Sequence, residues 1–173
     1  MIKYIISDML SMLSYLPDGI LLGLPVSLLV MMSVKKSSRR KEKKLPWISG
    51  SLFGVYLAIL IVITLFSREA GSREGIDLRF LSTWGINARN NAYVVENVLL
   101  FIPYGFLTCL VFRDLRNPVL GMCLGFVSSL SIECIQLISK RGYFQIDDIV
   151  TNVLGMMIGY VLFWIFKYTT RED

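Results

Sequence analysis

Residues 47–66 read WISGSLFGVYLAILIVITLF, a run of 20 residues without a charged side chain. A helix of about 20 apolar residues matches the roughly 30 Å hydrocarbon core of a lipid bilayer, because each helical residue adds about 1.5 Å. Trp47 stands at the start of the run, where an aromatic side chain suits the membrane–water interface. This stretch therefore predicts a transmembrane helix.

Four further apolar runs lie on either side of this one, at about 13–34, 93–112, 119–138 and 146–166. The chain is 54% hydrophobic and 18% charged, and this charged fraction is below the roughly 25% of soluble domains. We therefore expect an all-α bundle of about five transmembrane helices. Residues 1–46 hold the first span and a basic loop, and residues 47–173 hold the other four spans. The amphipathic residues 1–12 are expected to lie in the membrane interface.

The basic residues predict an orientation. Seven of the eighteen Lys and Arg residues lie between Lys35 and Lys44, and loops rich in Lys and Arg stay in the cytoplasm. With this loop inside, eleven basic residues lie on the cytoplasmic side and seven on the other. The N-terminus is then outside and the C-terminus cytoplasmic. The polar stretch at 67–91 becomes one large extracytoplasmic loop.

Polar side chains gather near the extracytoplasmic ends of the third, fourth and fifth spans. Ionisable groups at membrane depth cost several kcal/mol unless they are paired or hydrated, so each one calls for an explanation. Within a span, members three or four residues apart lie on one helix face. We expect the set to line a polar pocket that opens to the outer face. Its members are Glu96, Asn97, Glu133, Gln136, Arg141, Asp147, Asp148 and Asn152.

Four residues are expected to shape the helices. Pro103 lacks a backbone N–H and, with Gly105 close by, predicts a kink or local unwinding in the third span. Gly155 and Gly159 are four residues apart, a spacing that lets a neighbouring helix approach closely. They continue the polar stripe of the fifth span, which would then face the interior of the bundle.

The composition restricts the chemistry. The chain has no histidine, which excludes a histidine base, a histidine relay and a histidine metal ligand. The three cysteines stand in apolar runs without the spacing of a metal site, and no metal or other cofactor is expected. The net charge of +5 comes largely from the basic loop. It indicates contact with anionic membrane lipid rather than with nucleic acid.

The polar motifs occur in a fixed order across about residues 76–166. The order is Asn97-Val-Leu-Leu-Phe101-Ile-Pro103-Tyr-Gly105, then Glu133-x2-Gln136, Arg141, Asp147-Asp148 and Asn152-Val-Leu-Gly155-x3-Gly159. This set resembles the VanZ-like family of bacterial membrane proteins. The resemblance implies a multi-pass protein of the bacterial cell membrane, associated with resistance to glycopeptide and lipoglycopeptide antibiotics such as teicoplanin. One departure is Gln145, where members often carry an acidic residue.

Three functions remain open beside a purely structural hydrogen-bond network. The first is a non-enzymatic protein whose pocket binds a lipid-like envelope component, such as a lipid-linked cell-wall precursor, or a lipoglycopeptide antibiotic. The second is an enzyme acting on a lipid-linked substrate, with Glu133 or Asp148 as general base. The third is a lipid transporter or scramblase, for which five helices without internal repeats would have to form a homo-oligomer. The first is favoured, because no nucleophile or metal cluster accompanies the carboxylates.

Overall fold

The computed structural model describes residues 1–37, 45–66, 70–71 and 75–170. The described chain is mainly helical, and the prediction of an all-α fold is confirmed. A π-helical turn, Val62–Phe66, extends α3, and a 3-10 turn, Asp114–Arg116, joins α4 to α5. The helices are α1 (Ile2–Leu13), α2 (Leu16–Ser37), α3 (Leu45–Ile61), α4 (Ala88–Val111), α5 (Pro118–Ile138) and α6 (Ile146–Thr169).

Five of these helices, α2 to α6, are long and apolar enough to cross a membrane, which confirms the predicted number of spans. Between 17% and 44% of each span is buried inside the protein. Most of their apolar surface therefore faces outward, as expected for helices surrounded by lipid. The residues used to predict the orientation lie partly outside the described ranges, namely 38–44 of the basic loop, Arg68, Arg73 and Arg171.

The helix α4 begins before the apolar run that predicted it. The side chain of Asn87 accepts hydrogen bonds from the backbone N–H groups of Arg89 (2.9 Å) and Asn90 (2.8 Å). Such a cap satisfies donors that the first turn of a helix leaves free. The polar first turn is therefore helical although hydropathy places the start of the span near Tyr93. The helix continues through Pro103 to Val111, so the expected local unwinding is absent from α4.

The helices α4 and α6 pack against each other with their backbones in contact. A Cβ atom added to Gly155 would overlap the carbonyl oxygen of Val98, and one added to Gly159 would overlap that of Ile102. Gly105 on α4 meets the backbone of α6 in the same way. Only glycine fits such an approach. This contact places the polar stripe of α6 beside α4, inside the bundle.

A short parallel pairing of strands lies at one end of the bundle. Strand β1 (Ile76–Asp77) precedes α4, and strand β2 (Phe144–Gln145) directly precedes α6. Ile76 stands opposite Phe144, and Asp77 stands opposite Gln145. The sequence did not indicate these strands, because two residues are too few to show a strand periodicity. The pairing holds the 75–87 segment against the start of α6.

Candidate binding site

A cavity of about 580 Å³ lies at the end of the bundle where α4 and α6 begin and α5 ends. Its lining is contributed by helices that are far apart in the sequence and by the 75–87 segment. The structure thus brings most of the predicted polar set together. Six of the eight predicted residues line the cavity: Glu96, Asn97, Glu133, Gln136, Asp148 and Asn152.

Glu133 is the most deeply placed carboxylate of the cavity. Its side chain is 2% exposed, and its Oε2 accepts a hydrogen bond of 2.9 Å from the backbone N–H of Gln145. Gln145 is the N-cap residue of α6, so the carboxylate lies near the positive end of a helix dipole. The backbone of Gln145 thus holds Glu133, and Gln145 itself lines the cavity.

The helix α5 ends at Ile138, a few residues after Glu133, in a C-terminal helix cap. The backbone N–H of Lys140 donates to the carbonyl of Leu137 (3.1 Å), and that of Arg141 donates to the carbonyl of Gln136 (2.9 Å). These two bonds form a Schellman motif, which places one residue in the left-handed region. Lys140 takes that conformation, with φ of 53°. The cap directs the Arg141 side chain toward the end of α3.

Arg141 departs from the expected position, since it is not among the residues that line the cavity. Its guanidinium donates a 3.0 Å hydrogen bond to the carbonyl of Leu65, and its Cζ lies 5.3 Å from the ring centroid of Phe66. Both residues belong to the π-helical turn that extends α3. Arg141 therefore holds the end of α3.

Asp147 also lies outside the cavity lining. Its carboxylate accepts hydrogen bonds from the backbone N–H groups of Leu81 (2.6 Å) and Thr83 (2.8 Å), and from the hydroxyl of Ser82 (3.4 Å). Carboxylates that accept backbone N–H bonds make charge-assisted contacts. Asp147 thus anchors the 75–87 segment to the first turn of α6, and the adjacent Asp148 lines the cavity.

Two amide side chains connect the cavity wall to its surroundings. The Nε2 of Gln136 donates a 2.9 Å hydrogen bond to the carbonyl oxygen of Thr64. The Nδ2 of Asn152 donates a 2.9 Å hydrogen bond to the hydroxyl oxygen of Ser129. Gln136 and Asn152 are 2% and 5% exposed. These bonds use the nitrogen of each amide and leave the oxygen available to a further donor.

Some buried polar atoms of the described residues have no hydrogen-bond partner. They are Glu96 Oε1, Thr108 Oγ1, Gln136 Oε1 and Asn152 Oδ1. Three of the four belong to side chains that line the cavity. Because buried polar groups are normally satisfied by protein or by water, the cavity wall has unused capacity to accept hydrogen bonds.

The cavity also contains residues that the sequence did not single out. The helix α1 supplies Asp8, Ser11 and Met12, and the 75–87 segment supplies Asp77 and Arg79. The amphipathic character of residues 1–12 was visible in the sequence. The sequence did not show which part of the bundle the polar face of α1 would contact. Among the described residues, no group of three or more His, Cys, Asp or Glu side chains is arranged to hold a metal ion.

Asp77 and Arg79 form an ion pair at the exposed side of the cavity. The Nε of Arg79 lies 3.0 Å from Oδ1 of Asp77, and its Nη2 lies 3.0 Å from Oδ2. These hydrogen bonds hold the pKa of the Asp77 carboxyl below its usual value, because they favour the ionised form. The pair is solvent-exposed on the arginine side, where ion pairs contribute little to stability.

The fold and the cavity define a class of multi-pass helical membrane protein with a polar cavity at one end of the helix bundle. The family model for VanZ/LLP1 matches residues 53–167, so the chain belongs to that family, as its motifs predicted. It is 32% identical over 120 residues to Protein VanZ of Enterococcus faecium, a match that covers 67% of this chain and 73% of that protein. No solved structure matches the chain.

Proposed function

We propose that the chain binds an amphiphile in this cavity without transforming it and thereby lowers susceptibility to glycopeptide antibiotics such as teicoplanin. The ligand is either a lipid-like component of the cell envelope or the lipid-bearing antibiotic itself. The site faces the outside of a bacterial cell membrane, with the N-terminus outside and the C-terminus in the cytoplasm. The observation that carries the proposal is the meeting of polar side chains from α4, α5 and α6 at one cavity.

The dimensions and chemistry of the cavity support a ligand with a polar head group. A volume of about 580 Å³ falls in the range of roughly 300 to 1,000 Å³ typical of small-molecule sites. A polar head group suits a lining that combines carboxyl, amide and hydroxyl side chains.

The outer surface of the same helices supports an amphiphile over a fully polar ligand. Ile135 on α5 and Val150 on α6 lie close in sequence to the cavity residues, and both are exposed. A ligand whose polar head enters the cavity could leave its hydrocarbon chains against such side chains. The chains would then remain in the bilayer, where burial of apolar area is favourable.

A binding measurement on the purified protein in lipid nanodiscs tests the proposal. We expect teicoplanin or phosphatidylethanolamine to bind the wild type, and Glu133→Gln and Asp148→Asn to weaken that binding by about tenfold, the loss of roughly one charge-assisted contact. Asp114→Asn is the matched control, since Asp114 lies in the turn between α4 and α5, outside the cavity lining. Equal affinity in folded variants and wild type would refute the proposal.

A cellular assay tests the link to resistance. We expect bacteria that carry the wild-type chain to grow at a higher teicoplanin concentration than bacteria that carry Asp148→Asn, at equal amounts of protein in the membrane. Asp114→Asn should behave as wild type. Unchanged resistance in bacteria that carry Asp148→Asn would show that the cavity does not cause the resistance.

A further inference from the structure

Three hydrogen-bond acceptors lie in the wall of the cavity, beneath its accessible surface. Glu96 Oε1, Gln136 Oε1 and Asn152 Oδ1 lack partners, and all three side chains are more than nine-tenths buried. They come from α4, α5 and α6 respectively, so the acceptors converge from three helices. A ligand that satisfies them must bring donors and displace the neighbouring wall atoms slightly, because each oxygen has almost no accessible surface.

The orientation of Gln136 is determined by its partner. Its amide nitrogen faces the carbonyl oxygen of Thr64 at 2.9 Å, and a carbonyl can only accept a hydrogen bond. Rotating the amide by 180° would set two oxygens against each other. The oxygen of Gln136 is therefore the group left without a partner.

The described lining is also acidic. Five carboxyl groups stand against two guanidinium groups, and because Asp77 and Arg79 pair with each other, four carboxyl groups remain against one guanidinium group. A cleft lined by one sign of charge attracts ligands of the opposite sign. The carboxyl groups are those of Asp8, Asp77, Glu96, Glu133 and Asp148, and the guanidinium groups are those of Arg79 and Arg89.

We propose that the cavity recognises a primary ammonium group on its ligand. This rests on the proposed function, in which the head group of an amphiphile enters the cavity. An ammonium group carries three N–H donors and a positive charge, so it matches both the unpartnered acceptors and the acidic lining. An anionic group on the same head group would lie toward Arg89, which is exposed.

Two phospholipids that differ only at the amine test the proposal. Dioctanoyl phosphatidylethanolamine has three N–H donors, whereas dioctanoyl phosphatidylcholine has the same charge and no N–H donor. We expect the ethanolamine lipid to bind the full-length protein at least about tenfold more tightly, since hydrogen bonds to charged groups carry most of the difference. Dioctanoyl phosphatidic acid, which lacks the amine, should bind as weakly as the choline lipid.

Two variants locate this preference in the cavity. Glu96→Gln keeps the shape of the side chain and removes its charge, so it should reduce the ratio of ethanolamine to choline affinity by about tenfold. Asn97→Trp adds bulk to the lining and should weaken every lipid. Asp114→Asn should leave the ratio unchanged. Circular dichroism and size-exclusion chromatography check that each variant is folded.

Ethylammonium chloride distinguishes the two sources of an amine. If it competes with the ethanolamine lipid, the site takes amines in general, and if it does not, the site requires a lipid-borne amine. Either result supports the proposal.

The ways in which the proposal fails are separable from failure of the proposed function. Equal binding of all three lipids, blocked by Asn97→Trp, would overturn the ammonium inference and leave amphiphile binding intact. A preference for ethanolamine that survives both variants would place recognition elsewhere and overturn the inference. Absence of binding by all three lipids and by teicoplanin would overturn both proposals.

Discussion

The carboxylate of Asp147 accepts a 2.8 Å hydrogen bond from the backbone N–H of Thr83, which lies 64 residues earlier in the chain. The same carboxylate accepts a second backbone hydrogen bond, from Leu81 at 2.6 Å. One side chain in the first turn of α6 thus satisfies two donors of an irregular segment. Leu81 adopts a left-handed conformation, with φ of 57°. The hydrogen bond from its N–H to Asp147 stabilises this conformation.

Replacing Asp147 should loosen the 75–87 segment. Asp147→Asn puts an amide NH₂ where a carboxylate oxygen faced an N–H donor, so we expect the free energy of unfolding to fall by about 1–3 kcal/mol. Hydrogen–deuterium exchange should show faster exchange at the amides of Leu81 and Thr83. Asp114→Asn, at an exposed turn, serves as the control. Unchanged exchange at both amides would contradict the anchoring role.

The close contact of α4 and α6 makes a second prediction. Gly155→Ala should lower the free energy of unfolding by about 1–3 kcal/mol or more, because its Cβ would overlap the carbonyl of Val98 and overpacking at a tight interface is costly. Gly50→Ala is the matched control, since its nearest neighbour would be Met31 at 3.7 Å. It should be neutral or stabilising by up to about 1 kcal/mol. Equal effects in chemical unfolding would argue against a backbone contact.

Most of the helical architecture was predictable because bilayer thickness translates directly into the length of an apolar run. The polar residues of α5 and α6 were predictable for a related reason. Glu133 and Asp148 are ionisable groups near the ends of apolar spans, and such groups are costly unless a partner or a ligand accounts for them. Their spacing with Gln136 and Asn152 placed each pair on one helix face.

The roles of Arg141 and Asp147 could not be predicted from their spacing. Arg141 contacts the end of α3, and Asp147 contacts the 75–87 segment. Both contacts span more than 60 residues of sequence, so they depend on the tertiary fold. The position of α1 was unpredictable for the same reason, since an amphipathic pattern gives a polar face and not its partner. Asp8 and Ser11 were therefore missed.

The altered assignment of Arg141 leads to a third prediction. Arg141→Met should lower the free energy of unfolding by about 1–3 kcal/mol, because the charged hydrogen bond to Leu65 is lost. Ligand affinity of the folded fraction should stay within about twofold of wild type, because the side chain is not part of the cavity lining. A loss of affinity as large as that of Asp148→Asn, at unchanged stability, would show that Arg141 contacts the ligand and would contradict this assignment.

A fourth prediction follows from the proposed orientation of the chain in the membrane. The excess of Lys and Arg in the 35–44 loop favours a cytoplasmic location for that loop, and five spans then leave the C-terminus inside. Green fluorescent protein fused after Asp173 should fluoresce, and alkaline phosphatase fused at the same position should be inactive. Active phosphatase would reverse the topology and place the cavity on the cytoplasmic side.

The most direct test is an experimental structure of the chain in lipid nanodiscs, determined with lipid extracted from the host membrane. We expect the carboxylates of Glu96, Glu133 and Asp148 to surround one cavity at the outer membrane boundary, with density for a bound molecule within reach of them. A structure in which these three side chains close on one another with no space between them, or turn toward the surrounding lipid on separate faces, would contradict the binding site.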